Sequence, residues 1–503
     1  MAVLNHLEPQ RVFRFFEELC AIPHGSGNTK AISDWLVDFA KARGLRYVQD
    51  QLNNVVIFRD ATPGYESAEP VILQGHMDMV CEKEPGCTKD MAAEGLDLVL
   101  EGDTVSAKGT TLGGDDGIAV AMAMAILDDD SLSHPAIEAI FTVDEETGMY
   151  GAEGLDVSVL KGRRMLNMDS EDEGIFTVSC AGGARADCCL PVTRSAFSAP
   201  VLEISVTGLV GGHSGAEIDK GRANSSMLLG RVLCALEEKT DLRVISVCGG
   251  LKDNAIPTGS VALVAAGAAA AQAVCAEMDA AFKKEYRVND PAITVSVRPA
   301  ETALLPLDEN SSRSVVCMLT CLPNGIQAMS ADMPGLVQTS LNLGILTTGD
   351  DAVHASFSVR SSVATQKQML IQRLRSLMER LGGSVSTHGE YPGWEYMPQS
   401  PLRDLMVQVF TDQYGYAPKV EAIHAGLECG LFSAKLPGLD CVSFGPDLKE
   451  IHTFRESMSV ASVQRVYAMV VETLKRMHCP GVSLPCPGSK PGTSQGVSGQ
   501  NSR

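Results

Sequence analysis

The sequence predicts an α/β protein built from a main domain and a second α/β domain inserted into it. The chain has 503 residues, which is too long for one compact core and enough for two or three domains. In residues 9–143, short apolar runs alternate with amphipathic segments of helical period. This alternation is typical of a mixed, mostly parallel sheet that helices cover on both faces. After residue 183 the pattern changes, which indicates where the insertion begins.

The N-terminal part predicts two helices followed by the first strands of the sheet. Apolar residues recur at helical spacing in residues 9–20 and 29–43, and Gly44 suits the C-cap of the second helix. A helix rich in Ala and Met begins near Gly117. Strands are predicted at 54–59, 70–74 and 137–143.

The inserted domain is predicted at 185–386, between two parts of the main domain at 1–184 and 387–477. Residues 201–207 alternate like a strand with one exposed face, and a helix is predicted near 224–238. A last amphipathic helix is predicted at 460–477. The segment 478–503 is rich in Pro, Gly, Ser and Gln, which predicts a disordered tail.

Composition excludes several classes of protein. The formal net charge is -21, and so acidic a surface would repel a phosphate backbone, which excludes nucleic acid as a partner. The 15 Cys are odd in number and lack paired CxxC spacing, as expected in a reducing compartment. The N-terminus has no signal-peptide pattern, and no apolar run is long enough for a membrane span. We therefore expect a cytoplasmic protein without a membrane partner.

Five residues with metal-binding side chains stand in short apolar or Gly-rich contexts, mostly just after a predicted strand. They are His76, Asp115, Glu146, Asp169 and His452. Strand ends are where an α/β sheet collects its functional groups. Two His and three carboxylates can hold two zinc ions with a water between them, which favours a hydrolase. Taken singly, each residue has a simpler explanation, such as helix capping by Asp115 or a solvated acidic loop at Glu146.

Other residues near these positions have side chains suited to catalysis. Asp78 lies two positions after His76 on an extended segment and could fix the orientation of the imidazole. Glu145, next to Glu146, could act as a general base. His213 stands in a Gly-rich turn of the inserted domain, where it could stabilise an oxyanion if that domain closes over the site.

Asn254 and Arg360 lie in the inserted domain and could fix a substrate, Arg360 by binding a carboxylate. Each of these two residues is weak evidence when considered alone. Without a partner, each is an ordinary polar side chain.

Several longer segments together carry a resemblance to a known family. They are 22–24, 75–80, 108–113, 145–149, 179–183, 211–215, 254–257 and 423–432. The chain resembles the aminoacyl-histidine dipeptidases (Xaa-His dipeptidases, or bacterial carnosinases). These belong to the zinc peptidase family that includes carboxypeptidase G and succinyl-diaminopimelate desuccinylase. The resemblance covers about residues 5–477, and the segment around His424 points to the dipeptidase group.

The resemblance implies a metal-dependent dipeptidase that cleaves Xaa-His dipeptides, β-Ala-His included, through water activated by two divalent metal ions. It implies one zinc held by His76 and Asp169 and another held by Glu146 and His452, with Asp115 between them. Manganese and cobalt are alternatives to zinc. The fold it implies is a zinc-peptidase catalytic domain with an inserted α/β lid.

The resemblance also assigns roles around the metals. Glu145 is expected to be the general base and acid, with Asp78 orienting His76. The substrate is expected to lie among His213, Asn254, Arg360 and His424. In many relatives the inserted domain forms a homodimer and the oxyanion His comes from the partner subunit.

The sequence departs from the family pattern at two places. Asp116 stands where the family usually has Asn, and 453–456 reads Thr-Phe-Arg-Glu where it usually reads Ser-Pro-Asp-Glu. Three alternatives stay open. They are a related amide hydrolase of the aminoacylase or carboxypeptidase type, a non-catalytic binding module and, on the Gly-rich turns alone, a dinucleotide-binding enzyme. No GxGxxG follows the first strand, which disfavours the last.

Overall fold

The first large sheet forms the centre of the main domain. The structure is a computed structural model that describes residues 3–477. Within them this sheet has eight strands. Their spatial order is Arg46–Gln49, Val55–Arg59, Ile137–Thr142, Val71–His76, Arg164–Asn167, Asp440–Ser443, Ile175–Cys180 and Lys419–Ile423.

Three neighbouring strands at the middle of this sheet run parallel. Ile137–Thr142 pairs with Val71–His76, and Val71–His76 pairs with Arg164–Asn167. Every residue of Val71–His76 is buried, as expected of a strand that helices cover on both faces. Because the three strands are parallel, the residues that follow them meet at one edge of the sheet.

Helices pack on both faces of the sheet. One layer consists of Gln10–Cys20, Lys30–Ala42, Gly114–Asp128, Pro401–Tyr414 and Val460–Arg476. The opposite face is covered by Tyr150–Gly154 and Glu428–Lys435. The mixed sheet between two helical layers confirms the predicted fold class.

The helix Gly114–Asp128 packs very closely on the strand Val71–His76. Its Ala and Met side chains are buried on all sides. A methyl group at Gly75 would lie 2.7 Å from Cβ of Ala119, so this strand position tolerates only glycine. The close packing brings the start of the helix, with Asp115, next to the end of the strand, with His76.

The second large sheet forms a core of its own and is antiparallel in each of its pairings. Its main path in spatial order is Thr294–Pro299, Val201–Thr207, Ser260–Ala265, Arg243–Gly249, Val337–Thr348, Ala352–Ser361, Gly182–Pro191 and Ser384–Tyr391, while Gly325–Met329 pairs with Val337–Thr348. The helices packed with it are Ser225–Glu237, Ala268–Glu285, Glu309–Cys321 and Ala364–Arg380.

Smaller elements complete the fold. Gly212–His213 pairs with Ala255–Ile256, and a four-stranded sheet contains Leu448–Lys449, Ser457–Ser459, Thr104–Ala107 and Leu98–Glu101. Short 3-10 turns lie at Val157–Val159 and Ile218–Lys220. The predicted disordered tail, 478–503, lies outside the described residues. Among residues 3–477, no helix combines the length and the hydropathy that a membrane span needs.

Candidate active site

The edge where the parallel strands end collects most of the predicted metal-binding residues. His76 is the last residue of its strand, and Asp169 comes shortly after Arg164–Asn167. Glu145 and Glu146 follow Ile137–Thr142 in a turn. His452 reaches the same place from the loop before Ser457–Ser459. We call His76, Asp115, Glu146, Asp169 and His452 the ligand cluster.

Asp115 lies at the centre of the ligand cluster. Its Oδ1 is 3.1 Å from Nε2 of His76, and its Oδ2 is 3.1 Å from Nε2 of His452. Nε2 of His76 is also 3.7 Å from Oδ1 of Asp169. Nε2 of His452 is 3.0 Å from Oε2 of Glu146. Each oxygen of Asp115 therefore faces a different His, and Nε2 of each His faces one further carboxylate.

The cluster has the chemistry of a cation site. The side chains of Asp115, Glu146 and Asp169 are 12%, 6% and 11% exposed, although they lie close together. Burial, followed by repulsion from Asp115 and Glu145, raises the pKa of Asp169 well above its usual range. Oε1 of Glu146 is buried and has no hydrogen-bond partner among residues 3–477. Buried, mutually repelling carboxylates with an unpaired oxygen fit divalent cations.

Asp78 contacts His76 mainly through its backbone. Nδ1 of His76 lies 3.0 Å from the carbonyl oxygen of Asp78 and 3.5 Å from Oδ1 of its carboxylate. The carboxylate accepts hydrogen bonds from Ser26 Oγ and from the backbone N–H of Glu145. Asp78 therefore connects the strand end with His76 to the turn with Glu145.

Glu145 lies beside the ligand cluster but has a different environment. Single ligand atoms of Glu145, Glu146 and His76 lie within 4.8 Å of one another. Burial raises the pKa of Glu145 to about 7, with repulsion from Glu146 and Asp115 adding to this effect while His76 opposes it. A carboxyl group that titrates near neutral pH suits proton transfer.

Asp116 is buried beneath the cluster. It is 1% exposed, and its Oδ2 accepts a hydrogen bond of 3.2 Å from the backbone N–H of His76. Burial and the neighbouring Asp169 raise its pKa well above the usual range. The residue that departs from the family pattern therefore adds a further acid close to His76.

A second group of polar side chains lies around Gly215, where residues of the second sheet meet the segment that contains His424. Nδ1 of His213 accepts hydrogen bonds from the backbone N–H groups of Gly215 and Ala216, which assigns the ring proton to Nε2. A methyl group at Gly215 would lie 3.0 Å from Cε1 of His213, 3.1 Å from Cζ of Arg360 and 2.8 Å from the carbonyl oxygen of His424. His213, Arg360 and His424, which we call the lid cluster, therefore surround Gly215.

The lid cluster combines neutral imidazoles with one cation. Burial and the nearby Arg360 lower the pKa of His424 to about 4 and also lower the pKa of His213. His424 Nε2 lies 2.7 Å from Ser340 Oγ, and Arg360 Nη1 donates to Tyr391 Oη at 3.2 Å. The Nε of Arg360 is buried without a partner among the described residues. Arg360 therefore retains donor capacity for a ligand.

The backbone of Asn254 contacts the turn that carries His213. Its carbonyl oxygen accepts a hydrogen bond from Ser214 N, and the next residues, Ala255–Ile256, pair with Gly212–His213. A pocket of about 240 Å³ lies beside His424 and Gly215. The structure thus brings His213, Asn254, Arg360 and His424 to one region.

The segment 424–428 connects the lid cluster with the strand residues beneath the ligand cluster. A methyl group at Gly426 would contact Tyr391 and Met149. Tyr391 accepts a hydrogen bond from Arg360 of the lid cluster, and Met149 follows the turn that contains Glu145 and Glu146. Glu428 is fully buried and accepts hydrogen bonds from Gln74 Nε2 and Thr142 Oγ1, at the strand ends that carry the cluster.

Sequence reasoning assigned no role to Glu428, Tyr391 or Glu456. Glu428 belongs to a segment that carried the family resemblance, but nothing in the segment indicates its contact with Gln74. Glu456 accepts backbone hydrogen bonds from the turn before Asp115. One feature of the sequence indicated its importance. After His452 the family usually reads Ser-Pro-Asp-Glu, and Glu456 is the one residue of these four that this chain keeps.

Two histidines on either side of one largely buried carboxylate, beside a further acid, form a site that suits divalent cations. Comparison with known proteins gives the family. The sequence matches the profile of peptidase family M20/M25/M40 over residues 72–476. The cytosol non-specific dipeptidase of Escherichia coli (strain K12) is 34% identical over 482 residues, 95% of this chain and 99% of the relative.

A solved structure agrees with the family match. The crystal structure of aminoacylhistidine dipeptidase from Vibrio alginolyticus has a TM-score of 0.90 and 34% sequence identity and covers 94% of this chain and 98% of its own. A tripeptidase from Staphylococcus aureus, at a TM-score of 0.53 and 16% identity over 94% of this chain and 99% of its own, shares the fold. The chain belongs to peptidase family M20/M25/M40 and is a metallopeptidase, which confirms the resemblance found in the sequence.

Proposed function

We propose that this chain is a metal-dependent dipeptidase that prefers Xaa-His dipeptides, β-Ala-His among them, and works with two zinc ions. The observation that carries the proposal is Asp115, whose two oxygens face His76 and His452 at 3.1 Å each beside Glu145. The similarity to a non-specific dipeptidase and to an aminoacylhistidine dipeptidase supports dipeptides as the substrate class. Manganese and cobalt suit the same ligand types as zinc.

The ligand cluster divides into two sets of donors that share Asp115. His76 and Asp169 would hold one cation, and Glu146 and His452 would hold the other. Bound divalent cations supply Lewis acidity, which polarises a carbonyl group and lowers the pKa of water. Asp78 would keep Nε2 of His76 turned towards Asp115, because its backbone carbonyl fixes Nδ1 at 3.0 Å.

Glu145 would move the protons of the reaction. It accepts a proton from the water that attacks the carbonyl carbon of the peptide bond. It then passes that proton to the leaving nitrogen as the carbon–nitrogen bond breaks. The second proton of the water also ends on the leaving nitrogen, which yields a protonated amine and a carboxylate. Burial is the largest cause of the raised pKa of Glu145, and a raised pKa suits a carboxyl group that acts first as base and then as acid.

The lid cluster would bind the substrate around the reacting carbonyl. His213 carries its proton on Nε2 and would donate it in a hydrogen bond to the oxyanion. Arg360, with a buried Nε that lacks a partner among the described residues, would bind the C-terminal carboxylate of the dipeptide. Asn254 and His424 would complete this wall of the site.

The proposal also covers the location, the domain bounds and the partners of the enzyme. We propose a cytoplasmic enzyme, since the E. coli relative is a cytosol dipeptidase. We keep 185–386 as an inserted lid between catalytic parts at 1–184 and 387–477, and we propose a homodimer formed through that lid. Small dipeptides, and neither nucleic acid nor a membrane, are the expected partners.

Hydrolysis of β-Ala-His and Gly-His tests the proposal directly. The protein is stripped with a chelator, assayed, reloaded with zinc and assayed again, with Gly-Leu and N-acetyl amino acids as comparison substrates. Activity on dipeptides that disappears and returns with zinc supports a metallodipeptidase, and faster cleavage of the two His dipeptides supports the Xaa-His preference. Cleavage of N-acetyl amino acids alone would favour the aminoacylase alternative, and zinc binding without any cleavage would favour a binding module.

A further inference from the structure

The Gly-rich turn before Asp115 wraps around a carboxylate of the chain itself. Oε2 of Glu456 accepts hydrogen bonds from the backbone N–H groups of Leu112 at 2.8 Å and Gly113 at 3.0 Å. Oε1 accepts from those of Gly114 at 2.8 Å and Asp115 at 3.3 Å. Glu456 is 3% exposed. Consecutive N–H groups that converge on one anion form a nest, and Glu456 fills it.

The two glycines of the turn are needed for this contact. Gly113 has a φ of 67°, in the left-handed region that glycine adopts without strain. A methyl group at Gly114 would lie 3.2 Å from Oε1 of Glu456 and 3.2 Å from a methyl group of Leu448. A side chain at either position would strain the turn or push the carboxylate away.

The nest joins the two parts of the chain that deliver Asp115 and His452. Glu456 shares a short loop with His452, and its carboxylate holds the backbone N–H of Asp115 itself. Asp115 Oδ2 in turn lies 3.1 Å from Nε2 of His452. A shift of this loop would therefore change the positions of both side chains together.

We propose that Glu456 is a positioning residue for the cation site formed by Asp115, Glu146 and His452. The proposal rests on the proposed function, because it takes these three residues as metal ligands. Glu456 does not touch the cation; it holds the turn and the loop in the arrangement in which Asp115 faces His452. Loss of the clamp should lower the affinity of this site for metal, as loss of residues that orient ligands generally does.

Glu456→Gln tests the clamp with the smallest change of shape. Each carboxylate oxygen of Glu456 accepts two backbone N–H groups. Whichever oxygen the amide nitrogen of Gln replaces, its N–H groups would then face two backbone N–H groups that have lost their acceptor. Glu138→Gln is the matched control, since Glu138 is also buried and accepts the backbone N–H groups of Lys161 and Gly162 away from the cluster.

The primary readout is zinc bound per chain, measured by mass spectrometry of the metal at buffered free zinc, with thermal unfolding recorded in parallel. Glu456→Gln should bind zinc at the site formed by Asp115, Glu146 and His452 about 10- to 100-fold more weakly than wild type. Glu138→Gln should lose thermal stability yet keep wild-type zinc affinity. Zinc affinity of Glu456→Gln within twofold of wild type, or an equal loss in both variants, would overturn the proposal.

Hydrogen exchange on the wild-type protein covers the case in which Glu456→Gln does not fold. The amides of residues 112–115 should exchange slowly in the zinc-free protein, about as slowly as those in the middle of Gly114–Asp128. Fast exchange there would mean that the clamp does not exist in solution, and the proposal would be wrong. This readout requires neither zinc nor activity, so failure of the proposed function, seen as wild-type protein that binds no zinc, is a distinguishable result.

Discussion

The carboxylate of Asp115 lies 3.1 Å from Nε2 of His452, although the two residues are 337 positions apart in the chain. The whole second sheet and five strands of the central sheet lie between them in sequence. The contact therefore depends on the complete fold of the main domain. It also places two largely buried carboxylates, those of Asp115 and Glu146, against one imidazole.

Removal of the metal should make the protein markedly less stable. The ligand cluster buries carboxylates that repel one another, and bound cations would relieve this repulsion. Free zinc at 1,000 times its dissociation constant should add about 4 kcal/mol to the free energy of unfolding. Thermal unfolding of chelator-treated and zinc-loaded protein measures this difference.

A control separates the cluster from surface histidines that also bind zinc. His388 is exposed and pairs with Asp187 in the second sheet, so His388→Ala should keep the full zinc-dependent stabilisation. His76→Ala should lose most of it. An equal zinc effect in both variants would locate the stabilising zinc elsewhere.

Glu145→Gln should fold and bind zinc but lose catalysis. The amide cannot accept or return the proton, and a positioned general base typically contributes about 10²–10⁴-fold to the rate. Glu146→Gln, the adjacent control, should instead lose zinc, because Oε2 of Glu146 faces His452. Steady-state hydrolysis of β-Ala-His, with zinc content measured on the same samples, distinguishes the two. Wild-type turnover in Glu145→Gln would remove this residue from its proposed role.

Local patterns predicted the strands and helices that carry the ligand cluster. The predicted strand 70–74 forms as Val71–His76. The predicted helix near Gly117 is part of Gly114–Asp128, in which Asp115 and Asp116 are not helical. The strand continues to His76 because Gly75 and His76 pair with the neighbouring strand, a tertiary contact that hydropathy does not reveal. The antiparallel pairing of the second sheet was likewise not predictable, since strands alternate with helices along the chain in both domains.

Contacts between distant residues set the limit of the sequence analysis. Glu456 and Leu112 are 344 positions apart, and no periodicity connects a lone Glu with a Gly-rich turn. A Gly-rich turn at the start of a helix is often a phosphate site, although the two acids Asp115 and Asp116 would repel phosphate here. In the structure the turn does bind an anion, but that anion is the chain's own carboxylate.

Asp116→Asn should stabilise the zinc-free protein. Asn can still accept the hydrogen bond from the backbone N–H of His76, while the repulsion between Asp116 and Asp169 disappears. We expect the free energy of unfolding to rise by about 1–2 kcal/mol, the scale of one poorly compensated buried polar group, and the affinity for zinc to fall. Urea unfolding of the zinc-free proteins and zinc titrations measure the two effects.

Asp290→Asn is the control for Asp116→Asn, and it should change the stability in the opposite direction. Asp290 is also fully buried, but its two oxygens accept the backbone N–H groups of Val210 and Ala223, so its charge is compensated. Asn at this position should destabilise the protein. If both Asn variants change stability in the same direction, repulsion at Asp116 is not the reason.

His213→Ala should lower turnover while leaving zinc content unchanged. The loss of one oxyanion donor typically lowers kcat by about 10²–10³-fold. His213 forms hydrogen bonds with Gly215, Ala216 and Glu217 and pairs with Ala255, and none of these residues belongs to the ligand cluster. Loss of zinc in this variant would show that the assignment of His213 is wrong.

A mixing experiment determines which chain supplies His213. In the structure it lies beside Arg360 and His424 of the same chain, around Gly215, and the segment from His424 leads to the strand residues beneath the ligand cluster. We therefore expect each site to be completed by its own chain, even in a homodimer. Inactive His213→Ala and Glu145→Gln proteins, unfolded together and refolded as a mixture, should stay inactive.

If the partner subunit supplied His213, the mixture would regain a calculable fraction of the wild-type activity. If His213 came from the partner subunit, half of the refolded dimers would contain one copy of each variant. One site in each such dimer would combine an intact Glu145 with an intact His213, so about a quarter of the wild-type activity would return. Recovery at that level would contradict completion of the site within one chain, while activity at the level of the separate variants supports it. Zinc content measured on the mixture ensures that low activity does not reflect lost metal.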